Sequence, residues 1–515
     1  MKNYIFSSSL DCRGVARGDR IRREKFGYAV AASDAPTKFD FANPGYRGFS
    51  KLLAISLFLF GLATISSSNA AAIENVLFII SDDLKASVLG SYGDEICQTP
   101  NLDRLADEGV VFDRVYCQGT ACRPSRQSFM HSRYLGETEV NLGKHFIDNG
   151  VFSARVGKIY HMKVPGDIIA GTDGLDIEST WNERYNAPGL EAHTPGDYAC
   201  LNLNIFTTDL AGRYSTAMPH RWFVTVSYEG DGSDQPDYKS ASKTIELIQE
   251  RKDQPFFIAT GFVRPHYPMV APKRYFDLYP IEDITLPYVP EDDHEDIPPL
   301  GFPNVVSTKD PIGKYPENQK RMWAGYYATV TYMDEQVGRL LDELERLGLR
   351  DKTAVVFTSD HGYHLGEHHF WQKSNLHEEA LRVPLIISVP GVKPGRSSAI
   401  VELMDIYPTL SELAGFETPE SVQGKSLVPI LKNKKARVRE AALTIDGSGY
   451  ALRSNRWAYI RYNDDTEELY DMENDPGQLT NLAINPEREG QLKTWRKKLD
   501  TRLSEAGIKR RVKKG

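Results

Sequence analysis

Two pairs of residues able to hold a cation follow two apolar runs. Asp82-Asp83 comes after 75–81 (NVLFIIS), and Asp360-His361 comes after 354–359 (AVVFTS). Both runs read as buried parallel strands, and ligands of open parallel sheets gather at the strands' carboxyl ends. Adjacent carboxylates repel unless a cation neutralises them, and hard divalent cations take carboxylate oxygens. Aspartate is also a common helix N-cap, so one pair alone leaves both readings open. Two pairs at two strand ends weigh toward a metal. A third stretch, Gly119-Thr120-Ala121-Cys122-Arg123-Pro124-Ser125-Arg126, puts a cysteine just ahead of an expected helix start. Backbone N–H groups there favour an anion. A small buried thiol is the ordinary fate of a free cysteine, yet Arg123, Ser125 and Arg126 make a poor apolar surrounding.

These residues need a scaffold that closes long sequence gaps. From Glu74 onward, buried-type strands alternate with helical stretches, the pattern of an α/β domain. Segments 256–261 and 384–389 read as further core parallel strands, and helices are expected over 99–109, 239–251 and 318–347. Tyr326, Tyr327 and Tyr332 on the last of these are read as core packing. Segments 267–303 and 309–316 are Pro/Gly-rich and read as loops. From Arg439 the texture changes to short aromatic strands (450–453, 457–462, 468–471), the turn Asn474-Asp475-Pro476-Gly477, and a helix over 486–506. That predicts a small antiparallel subdomain with a helix. The expected division is 1–72 extension and signal peptide, 73–438 catalytic α/β domain, and 439–515 C-terminal α+β subdomain.

The chain has 515 residues, 41% hydrophobic and 26% charged, which excludes wholesale disorder and a collagenous or disulfide-dense chain. Its net charge of −8 argues against general nucleic-acid binding. The uncharged run 52–65 is shorter than the roughly 20 residues of a membrane span. Arg47 and Lys51 precede it and small residues follow, the form of a secretory signal. No stable membrane span is expected. Residues 1–50 lack hydrophobic periodicity and read as an extension outside the fold. Removal of 1–70, with ten basic and five acidic residues, would leave a charge of −13. No Asn-x-Ser/Thr sequon occurs, which points to a bacterial, periplasmic or secreted protein. Cys97, Cys117 and Cys200 are too few to pair completely, and no bridge is assigned.

Cys122-x-Pro124-Ser125-Arg126 resembles the modification signature of the type I sulfatases, of the alkaline-phosphatase superfamily, whose cysteine is oxidised to formylglycine. The resemblance runs over nearly all of 75–481. It takes in Asp82-Asp83, Leu89-Gly90-x-Tyr92-Gly93, Thr99-Pro100-Asn101-Leu102-Asp103, Asp360-His361-Gly362, Gly366-Glu367-His368 and Asp475-Pro476 with Asn481-Leu482. Asp360-His361, Val156-Gly157-Lys158-x-x-His161 and Arg264-Pro265-His266-x-Pro268 are similar to the iduronate-2-sulfatase branch. One departure is His131-Ser132-Arg133, where the family usually has Thr-Gly-Arg.

The resemblance implies an alkaline-phosphatase-like fold: a large, mostly parallel sheet flanked by helices, plus a small C-terminal antiparallel sheet with a helix. It implies an exported hydrolase of sulfate esters on a sulfated saccharide, matured by a formylglycine-generating enzyme. The implied ligands of one divalent cation are Asp82, Asp83, Cys122, Asp360 and His361. The carboxylate majority favours Ca²⁺ over Zn²⁺ or Mg²⁺. Arg126 and Lys158 would neutralise diol and sulfate oxygens, and His161 would orient or deprotonate the diol. His266 and Lys373 would stand at the leaving oxygen, with His266 a candidate general acid. His364, His368 and His369 are expected to shape the substrate cleft. An acidic surface is expected to repel long polyanions and to favour sulfates at chain ends. Two other readings stay open: a phosphomonoester or phosphodiester hydrolase of the same superfamily, and a non-catalytic binder of sulfated glycans. A Ser-His-Asp hydrolase is disfavoured because no Gly-x-Ser-x-Gly elbow is present.

Overall fold

In the computed structural model, residues 73–211, 213 and 220–511 are described. The expected extension and signal peptide lie outside them. The central sheet is built, in chain order, from β1 (Asn75–Asp82), β2 (Val110–Tyr116), β3 (Phe152–Gly157), β4 (Glu183–Tyr185), β5 (Phe256–Pro265), β6 (Thr353–Ser359), β7 (Arg382–Val383), β8 (Leu385–Ser388) and β9 (Gly395–Glu402). Its order runs β2–β8–β6–β1–β5–β3–β4, with β7 and β9 also paired to β2. β1 lies between β6 and β5 and is parallel to both. It is buried on both faces, as its apolar run requires of a strand covered on each side. Alternation along it separates two cores: Leu77 and Ile79 join one, Val76, Phe78 and Ile80 the other.

Segment 384–389, expected to be parallel, is reversed. β8 pairs antiparallel with both β6 and β2. The physical reason is the connection before it. After β6 the chain makes a short hairpin (His364–Leu365 with Trp371–Gln372) and one four-residue helix, then re-enters the sheet from the end it left. A parallel return would need a full crossover. The expected loop 267–303 also contains a strand, Met269–Pro272, paired with Val224–Tyr228 in a second small sheet.

The helices that matter for the site are α1 (Pro100–Glu108), α2 (Cys122–His131), α3 (Pro236–Arg251), α4 (Pro316–Arg346) and α5 (Glu489–Glu505). Tyr326, Tyr327 and Tyr332 of α4 are buried against the Leu77 face of the sheet, as expected of core residues. Phe129 and Met130 of α2 pack on the opposite face. The C-terminal antiparallel sheet has strands β10 (Ala441–Ile445), β11 (Gly449–Ser454), β12 (Trp457–Tyr462) and β13 (Glu467–Asp471). Ala442, Ala458 and Ile460 face the main core. Leu443, Tyr459 and Leu469 face Leu492, Trp495, Leu499 and Leu503 of α5. No helix of the described residues is long and apolar enough to cross a membrane.

Candidate active site

The carboxyl ends of β1, β3, β5 and β6 deliver Asp82-Asp83, Lys158, His266 and Asp360-His361 to one edge of the sheet. The loop after β2 delivers Cys122. It is the first residue of α2, with Pro124 in the first turn, where a missing N–H costs nothing. In an extended strand Asp82 and Asp83 would point to opposite faces. The left-handed φ of 63° at Asp83 turns its carboxylate back toward the first, a strained conformation for a non-glycine residue. α2 ends at Ser132, φ 50°, where the family's usual glycine would meet no steric penalty. Here the serine hydroxyl donates to the Met404 carbonyl at 2.7 Å and accepts from the Gly424 N–H at 3.0 Å.

Arg126, expected at the diol and sulfate oxygens, is instead wholly buried and makes four hydrogen bonds within the protein. Its Nη2 donates to Asp82 Oδ1 at 2.8 Å, its Nε to Asp360 Oδ2 at 2.9 Å, and its Nη1 to the Lys158 and Ile159 carbonyls at 2.6 and 3.0 Å. Lys158 pairs with the other oxygen of Asp82, and Lys373 pairs with Asp83. Around Cys122 Sγ stand Lys373 Nζ at 3.1 Å, His361 Nε2 at 3.4 Å and Asp83 Oδ1 at 3.7 Å. His266 Nε2 is 3.7 Å from Asp83 Oδ2. His161 is half-buried at the margin, and its Nδ1 is buried without a hydrogen-bond partner.

Burial alone would raise the Asp82 carboxyl, but Lys158 and Arg126 outweigh it and hold the group well below the usual range. Burial pushes Asp83 up despite Lys373. Burial, reinforced by Asp82, pushes the Cys122 thiol well above its ordinary value. Burial and Lys373 hold His266 well below the ordinary histidine value, and burial and Lys158 bring His161 down to about 4.

Three observations fit this cluster to a divalent cation. Asp82, Asp83, Cys122 and His266, and likewise Asp83, Cys122, Asp360 and His361, bring ligand atoms within 4.8 Å of one another. Asp83 Oδ2 is buried without a hydrogen-bond partner, an expensive state for a carboxylate oxygen unless a cation meets it. His361 Nδ1 lies 2.9 Å from the Gly362 carbonyl, which can only accept, so the N–H is on Nδ1 and Nε2 turns its lone pair into the cluster. His266 is fixed in the same tautomer by the Tyr267 carbonyl, 2.6 Å from its Nδ1. Proton donation from its Nε2 therefore requires the imidazolium form.

Sequence reasoning gave several supporting residues no role. Arg264 donates from Nη2 to both Glu191 carboxylate oxygens at 3.0 Å and from Nη1 to the His266 carbonyl at 3.1 Å. Asp237 accepts from the Val263 and Arg264 N–H groups at 2.7 and 3.0 Å, which completes the frame around His266. Arg264 stood in a quoted motif; Glu191 and Asp237 carry no local signal. Tyr326 packs in the core as expected and also donates to the Asp83 carbonyl at 2.6 Å. The expectation for the loop histidines needs correction. His364 and His368 are buried and turned to partners within the protein. His364 meets Asn375 at 3.1 Å and His368 meets Asp293 at 3.0 Å, so they fasten the loop internally. His369 alone is half-exposed. Cys97, Cys117 and Cys200 are buried. Beside the Cys122 turn lies a cavity of 480 Å³, walled by Thr120, Ala121 and Ser374 on one side and reached by Arg133, Lys509 and Arg511.

A mostly parallel sheet with a buried carboxylate–histidine cluster at its carboxyl edge defines an alkaline-phosphatase-like ester hydrolase. The sulfatase family model matches residues 74–416, and a model described as N-sulphoglucosamine sulphohydrolase, C-terminal, matches 366–506. The chain is 33% identical over 441 residues to a sulfatase of Formosa agariphila, covering 80% of this chain and 83% of that one. It is 32% identical over 422 residues to iduronate 2-sulfatase of Homo sapiens, covering 70% and 72%. A phosphonate monoester hydrolase from Silicibacter pomeroyi has a TM-score of 0.69 at 23% identity, covering 84% and 96%, a likeness of fold. The chain belongs to the sulfatase family. It is a sulfuric ester hydrolase.

Proposed function

We propose that the protein is an exported, iduronate-2-sulfatase-like enzyme that removes sulfate from the end of a sulfated saccharide, using formylglycine made from Cys122. The observation that carries this reading is the placement of Cys122 at the first turn of α2, with Lys373, His361 and Asp83 around its sulfur. The buried thiol is held protonated, which makes it a poor nucleophile as it stands. Oxidation by a formylglycine-generating enzyme, with dioxygen as the oxidant and the sulfur released as hydrogen sulfide, would give the aldehyde, and addition of water to it supplies two hydroxyls instead. One attacks sulfur, the sulfur–oxygen bond to the sugar breaks, and the sugar oxygen takes a proton. The second hydroxyl then loses its proton, the carbonyl re-forms and sulfate leaves.

The cation would be held by Asp82, Asp83, Asp360, His361 and the residue-122 oxygen, and when bound would polarise sulfate and nucleophile. Arg126 holds Asp82 and Asp360 in position. Lys158 and Lys373 offer fixed positive charge to the sulfate oxygens. His161, neutral through weakly acid pH, would take the diol proton. His266 and Lys373 would stand at the leaving oxygen; His266 is held neutral with its bare Nε2 inward, so Lys373, kept protonated by Asp83 despite burial, would give it the proton. Arg133, Lys509 and Arg511 around the neighbouring cavity suit a uronate carboxylate.

The test is the full chain coexpressed with a formylglycine-generating enzyme and assayed on disaccharides sulfated at the uronate 2-O, at 6-O or at nitrogen, beside the matching phosphate ester. We expect sulfate release from the 2-O-sulfated uronate, and an aldehyde at residue 122 by peptide mass spectrometry. Cys122→Ser should keep the fold and lose turnover. Faster phosphate release would move the reading to a phosphoesterase, and binding without turnover by fully modified protein would make it a glycan binder.

A further inference from the structure

A second concentration of positive charge lies in a groove of 1050 Å³ between edge strand β9, the β10–β11 end of the C-terminal sheet, and α5. β9 stands four strand positions from β1, across β6, β8 and β2, about 19 Å at roughly 4.8 Å a step. No residue lining the groove belongs to the Cys122 cluster.

The groove's charges come from three separate segments. Lys425, Arg437, Lys497 and Lys498 are exposed, and among the described residues no carboxylate pairs with any of them. Arg439 and Arg502 line it as well but are held by acids: Arg439 Nη2 meets Asp405 at 2.6 Å, and Arg502 Nη1 meets Glu505 at 2.8 Å. Arg456 is likewise paired, with Asp471 at 2.6 Å. Lys425 Nζ donates to the Val438 carbonyl at 3.0 Å; against these four cations that lack a paired acid the groove sets one acid, Glu440.

α5 shows that packing does not require this. Leu492, Trp495, Leu499 and Leu503 form its buried stripe. Thr494, Lys497, Lys498 and Thr501 recur at helical spacing on the groove side. Some surface cations of this chain are met by acids, as in Arg104 with Asp342 and Lys144 with Asp148, and among the described residues the groove's four are not. Four unmatched cations facing one concavity, in a chain of net charge −8, repel one another until an anion fills the space.

We propose that this groove binds a stretch of sulfated polysaccharide several sugars long, remote from the ester being cleaved. The choice of a saccharide rests on the sulfated-sugar reading above. Cations set apart along an open groove, with the Asn455 amide and threonine hydroxyls between them, match sulfates and hydroxyls repeating along a chain. The groove's own aromatic neighbour, Trp495, is buried beneath Lys498, whose Nζ lies 4.7 Å from the ring, so it offers no face for a stacked base. The groove would be one place where the expected repulsion of long polyanions does not hold.

The test compares the full chain with the quadruple variant Lys425→Gln, Arg437→Gln, Lys497→Gln, Lys498→Gln, all exposed positions outside the catalytic cluster. Fluorescently labelled heparin dodecasaccharide is the probe, titrated at several NaCl concentrations, with turnover of a sulfated disaccharide read separately. We expect the variant to bind the dodecasaccharide about tenfold or more weakly, with a shallower salt dependence, and to turn over the disaccharide at the wild-type rate. Equal dodecasaccharide affinity in the two proteins would overturn the proposal. So would wild-type binding of phosphatidylglycerol vesicles or single-stranded DNA as tight as that of the glycan. Binding needs no turnover, so an inactive wild type whose affinity still depends on the four cations would sink the functional reading and leave the groove standing.

Discussion

Arg126 joins two carboxylates and two carbonyls in a place no water reaches, so removing it strips Asp360 of its paired arginine and leaves Asp82 with Lys158 alone. We expect Arg126→Met to destabilise the fold by about 3–5 kcal/mol, and Arg126→Lys to recover part of that, since an ammonium cannot span the same four acceptors. Denaturant unfolding checks this, and a wild-type midpoint for Arg126→Met would show that the acids have other compensation. His161 gives a second prediction. Its folded value of about 4 lies below the ordinary histidine value of 6.5, so between those limits the unfolded chain binds more protons. The stability this contributes is complete above about 6.5 and is lost as pH falls toward 4. Thermal midpoints of His161→Asn measured across that window should vary less steeply with pH than those of the wild type; parallel curves would remove His161 from the acid-sensitive set. Its loss should also lower kcat while leaving the metal content unchanged, because it is not among the proposed ligands.

The segment carrying Lys373 is short, has left-handed backbone at His368, His369, Gln372 and Ser374, and so depends on anchors. Lys85 is one. Buried just past β1, it pairs with Glu367 and, at 2.8 Å, with Glu379, which ties both ends of this segment to the strand that bears Asp82. The Trp323 indole adds a bond to the Leu365 carbonyl at 2.6 Å. We expect Lys85→Met to lower kcat by about 10- to 100-fold through misplacement of Lys373, with the metal still bound. A variant with wild-type kcat would show that the segment holds without it. The same element marks the limit of what could be read in advance. β1, β5, β6, α1, α3 and α4 were legible because long apolar or amphipathic periods leave one solution. Asp82, Asp83, Asp360 and His361 were legible because strand ends converge whatever lies between them, and Cys122 was legible through its Cys-x-Pro-Ser-Arg signature. The reversal of β8 was not, since an apolar run reads the same in either direction and only the length of the preceding connection decides. Nor were Glu191 and Asp237: a buried acid that orients an arginine has no local pattern, only a partner 73 residues away for Glu191 and 27 for Asp237.

A bound cation would act on the whole molecule, because its ligands come from β1, α2 and the end of β6 and join parts of the chain far apart in sequence. The local charges set what it must do. Asp82, Asp83 and Asp360 are already matched by Arg126, Lys158 and Lys373, so a divalent ion leaves a surplus of two positive charges that an anionic ester and an ionised diol can use. Chelation should therefore abolish turnover and also lower the thermal midpoint, since a ligand bound only to the folded state at about 100 times its Kd adds roughly 2.7 kcal/mol. We propose Ca²⁺ as that ion. Three of the four side-chain ligands offered without modification are carboxylates, and residue 122 and substrate add further oxygens, a hard and irregular set that suits six to eight coordination. Zn²⁺ prefers four ligands richer in nitrogen or sulfur, and Mg²⁺ demands near-octahedral geometry with retained waters. His361 is the feature that argues the other way, its bare Nε2 being a better partner for a transition metal. Elemental analysis of the purified enzyme, followed by restoration of the chelated protein with Ca²⁺, Mg²⁺, Mn²⁺ and Zn²⁺ in turn, decides between them. We expect one Ca²⁺ per chain, with recovery of both activity and thermal midpoint by Ca²⁺. Stoichiometric zinc, with Ca²⁺ restoring neither, would reverse the assignment and make His361 the ligand that sets the metal.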